Sequence, residues 1–467
     1  MGERSSYILF ITDQQRYDHL GCNGHPVLRT PNIDAMAAEG VCHDRFYVAS
    51  PVCMPNRASL MTCRMPSSHG TRSLGIPLDH DSVTFVELLA NAGYDTCLIG
   101  KSHLQNVSDF DIQIEPTKHR KGFTAPPDDL NVATRSDLDN DTYQYERQAY
   151  WDKTDPKVPI PFYGFKEYFA VMRHGFNTGG SHLEWVKKNA PETLALRGRD
   201  KQFDHDFTVP QAIRTKVPEE HYSTTYIADR AVEWLEARRS NDKPFLLMVS
   251  FPDPHHPFTP PGKYWDMYDP LDVALPKSFG KGDLPPIKAM RKAMEKGTDP
   301  RDNQSPFTVT EDEARAIIAL TYGMVTMIDD AIGRILKQLE DSGLADDTIV
   351  IFTTDHGDYM GDHSLMLKLL LHYQGIIRTP FIWYDPKRPT DGLAIDDLAS
   401  SIDISATILA RAGIQPFNGL QGRDLFASDP VDAIIVEEDS QRPMTGFGKP
   451  QRVRTVVTDR YRMSIRQ

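Results

Sequence analysis

The sequence predicts an α/β protein with a large mixed, mostly parallel sheet sandwiched by helices and a small antiparallel sheet in a C-terminal subdomain. Three observations carry this reading. Nearly continuous apolar runs of six to eight residues recur along the chain, the pattern of strands buried on both faces. Amphipathic helical stretches stand between them, as in repeated β-α-β units. After residue 431 the apolar runs "DAIIVEE" and "RTVVTDRYRMSIR" read as strands of a second, smaller sheet.

In chain order, "YILFIT" (7–12) is the first strand. "TPNIDAMAAEG" (30–40) reads as a helix, with proline at its start and glycine at its end. "SVTFVELLANAGY" (82–94) is helical and "DTCLIG" (95–100) is a strand. "PFLLMVSF" (244–251) is another buried strand, and 311–343 is the longest helical pattern. "TIVIFTTD" (348–355) and "TPFIWYD" (379–385) complete the clear strands. Residues 104–243 and 252–310 are more polar and weakly periodic. They read as insertions over the sheet edge, where substrate loops commonly lie. The expected organisation is a catalytic domain over 1–430 and a small subdomain over 431–467.

Composition narrows the function classes. The chain has 467 residues, 40% hydrophobic and 25% charged, ordinary values for a soluble globular protein. A formal net charge of −13 argues against a nucleic-acid partner, which needs clustered basic surface. The N-terminal apolar run ends at Asp13 and is too short for a signal core or membrane span, so a cytoplasmic protein with no membrane association is expected. All five cysteines lie in the first hundred residues, and their odd count and spacing fit neither a disulfide framework nor a zinc site.

In doubly wound sheets, ligands sit beyond the carboxyl ends of the strands. Asp13 and Gln14 follow the first strand, Lys101 and His103 follow "LIG", His255 and His256 follow "VSFPDP", and Asp355 and His356 follow "IFTT". Each alone has a plain alternative as a helix cap, a turn or a solvated loop side chain; one site that collects all four gives them weight together. Asp13, Gln14, Asp355 and His356 offer mainly oxygen ligands, which suits a hard divalent cation. Arg57, Lys101, His103, His255 and Lys368 would surround it with positive charge and donors, a setting for a tetrahedral oxyanion.

These motifs resemble the type I, formylglycine-dependent sulfatase family of the alkaline phosphatase superfamily. "CMPNRASLMTCR" (53–64) is similar to its C-x-P-x-R signature. Asp-Gln, Gly-Lys-x-His, Pro-His-x-Pro, Asp-His-Gly with a downstream lysine, and "MIDDAIGRIL" follow in the family's order, over about residues 6–385. The resemblance implies an alkaline-phosphatase-like fold, hydrolysis of aryl or alkyl sulfate monoesters, and one divalent metal, with Ca²⁺ the leading expectation and Mn²⁺ and Mg²⁺ the alternatives. It implies that a formylglycine-generating enzyme converts Cys53 to formylglycine, whose hydrate attacks sulfur and later expels sulfate from carbon. It further implies a metal shell of Asp13, Gln14, Cys53, Asp355 and His356. Arg57 would hold the hydrate, Lys101 and Lys368 would bind the transferring group, and His103 would take a hydrate proton. His255 or Lys368 would protonate the leaving oxygen. A homo-oligomer is expected on general grounds.

Several departures matter. Asp13-Gln14 stands where many sulfatases have two aspartates, a form similar to the choline-sulfatase and phosphonate monoester hydrolase branches. The alternative activity is therefore hydrolysis of phosphonate monoesters or phosphodiesters with the same nucleophile. Lys101-x-His103 favours the sulfatase, because phosphonate hydrolases tend to place Tyr and Thr there. Cys63 replaces the family's usual glycine and reads as helix packing, and Leu74 stands about where relatives often have asparagine. The family commonly continues past the last strand, so the tail after Gln467 is either missing or short.

Overall fold

The computed structural model describes residues 4–107, 121–122, 124, 141–154, 157–239, 241–299, 301, 304–427, 429–440 and 451–467. Its centre is a nine-stranded sheet. From one edge the strands run Leu393–Ile395, Val41–His43, Phe381–Tyr384, Thr348–Thr354, Ser6–Thr12, Phe245–Ser250, Asp95–Gly100, Glu167–Met172 and Gly179–Gly180. The five strands from Thr348–Thr354 to Glu167–Met172 are all mutually parallel. Phe381–Tyr384 and Gly179–Gly180 pair antiparallel at either side of them.

The strands are apolar throughout because both faces are covered. In Ser6–Thr12, Tyr7, Leu9 and Ile11 point to one face and Ile8 and Phe10 to the other, and each set joins a different core. The first core includes residues from the helices Cys53–Thr62, Phe85–Asn91 and Ser401–Arg411. The second includes residues from Pro31–Glu39, Ser223–Glu236 and Glu311–Asp341. Glu311–Asp341 is long and apolar enough to span a bilayer, yet 89% of its apolar window is buried in protein, as expected of a core helix.

Two readings of the sequence change here. The stretch 104–243 is not only a cover, because Glu167–Met172 and Gly179–Gly180 within it extend the main sheet. Its segments 108–120 and 125–140 lie outside the described residues. Cys63 is more than packing: it caps the helix Cys53–Thr62 with φ of 56°, a left-handed conformation in which glycine would be unstrained. That is the physical reason a glycine suits this position.

The C-terminal strands Ala433–Asp439, Arg452–Thr458 and Arg462–Arg466 form an antiparallel sheet of their own. Its Ile434, Val436 and Val457 share a core with Tyr359, Leu371 and Ile376 of the larger α/β part.

The motif "MIDDAIGRIL" has a clear structural task. Thr30 precedes Pro31–Glu39 but makes no side-chain cap to it. Asp329 supplies the cap from the long helix instead, accepting from Ile33 N at 2.8 Å and from Asn32 N and Nδ2 at 3.1 and 2.8 Å. Asp329 is fully buried, so its loss would leave those donors unsatisfied. Asp329→Ala is expected to lower unfolding free energy by about 2–3 kcal/mol, with Asp329→Asn losing less, as read by urea denaturation.

Candidate active site

Residues that follow the carboxyl ends of the five parallel strands converge. Asp13 follows Ser6–Thr12, Asp355 follows Thr348–Thr354, Lys101 follows Asp95–Gly100, His255 lies five residues beyond Phe245–Ser250, and His174 lies two beyond Glu167–Met172. Backbone hydrogen bonds tie the exits together: Asp355 N to Thr12 O at 3.1 Å, Asp13 N to Asp253 O at 3.0 Å, and Lys101 N to Ser250 O at 2.9 Å. Gly100 permits the last of these, since at its φ of +115° a Cβ would lie 1.9 Å from Ser250 O.

Cys53 enters from the side, as the first residue of the helix Cys53–Thr62. Its Sγ is 3.0 Å from His356 Nε2, 3.0 Å from Lys368 Nζ and 3.7 Å from Asp13 Oδ1. Burial and Asp13 both oppose a thiolate here, yet Lys101, Lys368 and His356 together hold the thiol below its usual range. Pro55 falls in the first turn, where its missing N–H costs nothing. Asn56 fixes the turn, accepting from Ala49 N at 3.0 Å and donating to Asp355 O at 2.5 Å.

Buried charges compensate one another. Asp13 forms an ion pair with Lys101 Nζ through Oδ2. Burial alone would raise its pKa, but Lys101 above all, with Lys368, holds it well below the carboxylate range. Asp355 Oδ2 accepts from Arg57 Nε at 2.8 Å. Arg57 also donates through Nη1 to Lys101 O at 2.9 Å and to Ser250 Oγ at 2.8 Å, while its buried Nη2 has no hydrogen-bond partner. Lys368 is buried, which disfavours its charge, but Cys53, Asp13 and Asp355 raise its pKa on balance.

The histidines divide by environment. His356 donates Nδ1 to Gly357 O at 2.9 Å, which turns Nε2 toward Cys53 and Lys368. Burial opposes its protonation, but Asp355 leads the charges that raise its pKa. His255 donates Nδ1 to His256 O at 2.6 Å and faces Lys368 Nζ with Nε2 at 3.1 Å. Burial and neighbouring cations keep His255 and His103 well below their usual pKa. His103 has a left-handed φ of 55° and a buried, unpartnered Nδ1. His256 stacks on His255 with ring centres 4.0 Å apart and meets Gln14 Nε2 at 3.3 Å.

Asp13, Cys53, Asp355 and His356 offer ligand atoms all within 4.8 Å of one another. Gln14 completes the set by its orientation. Its Nε2 donates to Asp358 Oδ2 at 2.5 Å, leaving Oε1 buried with no partner. An orphaned acceptor beside two carboxylates and an imidazole fits a divalent cation.

Of the residues expected from sequence, Asp13, Gln14, Cys53, Arg57, Lys101, His255, Asp355, His356 and Lys368 form one contact network. His103 is linked to it through the charges of Lys101 and Arg57. Three further residues belong to the site. His174 accepts from Lys101 Nζ at 2.8 Å and stacks on His255, with centres 3.7 Å apart and planes 9° apart. Asp358 holds Gln14, and Glu146 holds the Lys101 loop, accepting from Ser102 Oγ, His103 N and Gln105 N at 2.8, 2.7 and 2.6 Å. Asp358 directly follows the Asp-His-Gly motif at 355–357, so the motif points to it. His174 and Glu146 sit in the weakly periodic stretch, and no motif marks them.

A sulfatase family model matches residues 5–156 and 170–414. The chain belongs to the sulfatase family. That family comprises sulfuric ester hydrolases of the alkaline phosphatase superfamily, and it implies a metal and a cysteine-derived formylglycine. An arylsulfatase of Clostridium perfringens is 27% identical over 427 residues, spanning 90% of this chain and 78% of that protein. A multifunctional alkaline phosphatase superfamily protein of Trinickia caryophylli is 26% identical, over 91% of this chain and 76% of that one. The phosphonate monoester hydrolase of Agrobacterium radiobacter shares the fold with a TM-score of 0.72, at 24% identity over 99% of this chain and 89% of that one.

If Lys368 helps to hold the thiol in its charged form, unconverted Lys368→Met protein will show a Cys53 pKa above that of the unconverted parent. Thiolate ultraviolet absorbance followed against pH reads this; an unchanged or lower pKa contradicts it.

Proposed function

We propose that this sulfatase hydrolyses aryl or alkyl sulfate monoesters with formylglycine at position 53 and one divalent cation, calcium first and manganese or magnesium next. The observation that carries the reading is Cys53 itself, set among two carboxylates, three cations and His356 in a buried cluster. The hydrated aldehyde supplies an oxygen nucleophile and the cation a Lewis acid beside it. Asp13, Gln14, Asp355 and His356 are proposed to hold the cation, and a formylglycine-generating enzyme to mature Cys53.

The remaining residues act by charge and proton placement. Arg57 reaches the hydrate with Nη2, the donor that its other bonds leave free. Lys101 and Lys368 present ammonium groups to the sulfuryl oxygens, where they stabilise charge that grows in the transition state. His103, kept neutral by burial, Lys101 and Arg57, accepts a proton through an imidazole nitrogen. Lys368 donates to the leaving oxygen. His255 stands beside it as a neutral acceptor, since its Nδ1–H is spent on His256 O. The net change consumes one water and yields an alcohol and inorganic sulfate.

A second reading, cleavage of phosphonate monoesters or phosphodiesters, is favoured by Gln14 in place of a second aspartate. Matched aryl sulfate and aryl phosphonate monoester substrates test the choice, with kcat/KM expected to be higher for the sulfate; a ratio below one overturns it. Lys101→Ala is expected to lower kcat/KM by about 10²–10³-fold. Mass spectrometry of the peptide spanning 50–64 from the native host should find the aldehyde, and a free thiol there would refute the proposed nucleophile.

A further inference from the structure

Lys368 is held in place from outside the catalytic domain. Three non-glycine neighbours, Leu367, Leu369 and Leu370, have φ values of 69°, 101° and 62°. L-residues resist this left-handed conformation, so the loop persists only where surrounding contacts over-determine it. On one side Asp358 Oδ1 accepts from Leu367 N at 2.9 Å, and Tyr359 meets Leu369 O and Leu371 O with its hydroxyl at 2.5 and 3.1 Å.

On the other side stands the C-terminal sheet. Glu438 Oε2 accepts from Leu370 N at 2.8 Å and from His372 Nε2 at 3.0 Å. His372 Nδ1 in turn meets Thr455 Oγ1 at 2.8 Å, on the neighbouring strand of that sheet. The Glu438 and His372 side chains are both 0% exposed, and Leu370 packs on Val453. A buried carboxylate is costly unless its bonds are needed, and here two of its bonds end on the loop that carries Lys368. The adjacent Glu437 reaches the nucleophile's side: its N–H donates to Ala49 O at 2.8 Å, and its carboxylate accepts from Ser67 N and Oγ at 2.8 and 2.9 Å.

We propose that Glu438 is a positioning residue for the reaction: with His372 it clamps the left-handed loop so that Lys368 Nζ is presented to position 53. The inference rests on the reading that Lys368 acts on the transferring group. Glu438 touches no reacting atom, so it works only through the loop, at the backbone of residue 370 and the side chain of His372.

The test compares Glu438→Ala, Glu438→Gln and Lys368→Ala in the full, metal-loaded and converted chain. Hydrogen exchange at the Leu370 amide is expected to speed up at least tenfold in Glu438→Ala and to stay near the parent rate in Glu438→Gln, whose side chain keeps an acceptor. In Glu438→Ala, kcat on aryl sulfates is expected to fall at least tenfold, with KM changed less than threefold and formylglycine content unchanged. The loss should grow with the basicity of the leaving group, and Glu438→Gln should recover most of it. Unchanged exchange at Leu370 in Glu438→Ala, or a kcat loss equal for all leaving groups, overturns the clamp. If Glu438→Ala does not fold, the same two readouts on Glu438→Gln against His372→Ala decide, with His372→Ala expected to show the faster exchange and steeper loss. If Lys368→Ala alone keeps full activity, the reading of the site fails, and the exchange result still judges the clamp separately.

Discussion

The structure depends on burying two carboxylates, Asp13 and Asp355, together in a place largely closed to water. Both are almost fully buried at the exits of adjacent parallel strands. Uncompensated, such charges cost several kcal/mol each even after relaxation. Lys101 and Arg57 pair with them directly, and Lys368 adds a third cation. These partners come from three separate segments, so the charge balance exists only when the sheet is assembled in this order. The cluster also retains one more cation than it has carboxylates, which suits an anionic ester.

A second set of acidic side chains does a different job. Gln14, His103 and the residues flanking Lys368 all adopt left-handed φ values, each costing on the order of 1–2 kcal/mol for a non-glycine residue. Each such stretch is answered by a buried carboxylate, and for His103 and the Lys368 loop that carboxylate lies outside the charged cluster. Asp355 accepts from Gln14 N, Glu146 from His103 N, and Asp358 and Glu438 from the two sides of the Lys368 loop. Asp358 has its pKa pushed up to about 6 by burial, and Glu146 is shifted upward for the same reason. These groups are kept for the amides they bind rather than for free charge.

How much of this the sequence discloses follows from distance along the chain. The central strands and the residues directly after them, such as Asp13, Lys101 and Asp355, are legible because an apolar run ends abruptly in a polar residue. Cys53 and Arg57 are legible through a compact motif. His174 obeys the same strand-exit rule as Lys101. From sequence it stands out only as one of several insertion residues that could line a pocket or merely pack, because "EYFAVM" (167–172) begins with a partly exposed half and lies in a stretch that looks like a cover. Glu146 and Glu438 act on backbone amides about forty and about seventy residues away in sequence. Nothing local distinguishes them from surface acids, since their role appears only when the topology closes.

The imidazoles explain how the cations can be held without being cancelled. A carboxylate partner orients a lysine but also neutralises its field, whereas a neutral imidazole accepts the same hydrogen bond and leaves the charge in place. Lys101 has one partner of each kind, Asp13 and His174. Among the described residues, Lys368 Nζ has no carboxylate hydrogen-bond partner; it meets Cys53, His255 and His356. For this to work His174 and His255 must stay neutral. Burial does most of that, and the adjacent ammonium groups reinforce it, bringing His174 down to about 4. The stacked pair His174–His255 is thus a rigid, uncharged acceptor placed between two ammonium groups. That arrangement keeps both lysines aimed while leaving Lys368 free to meet an anion.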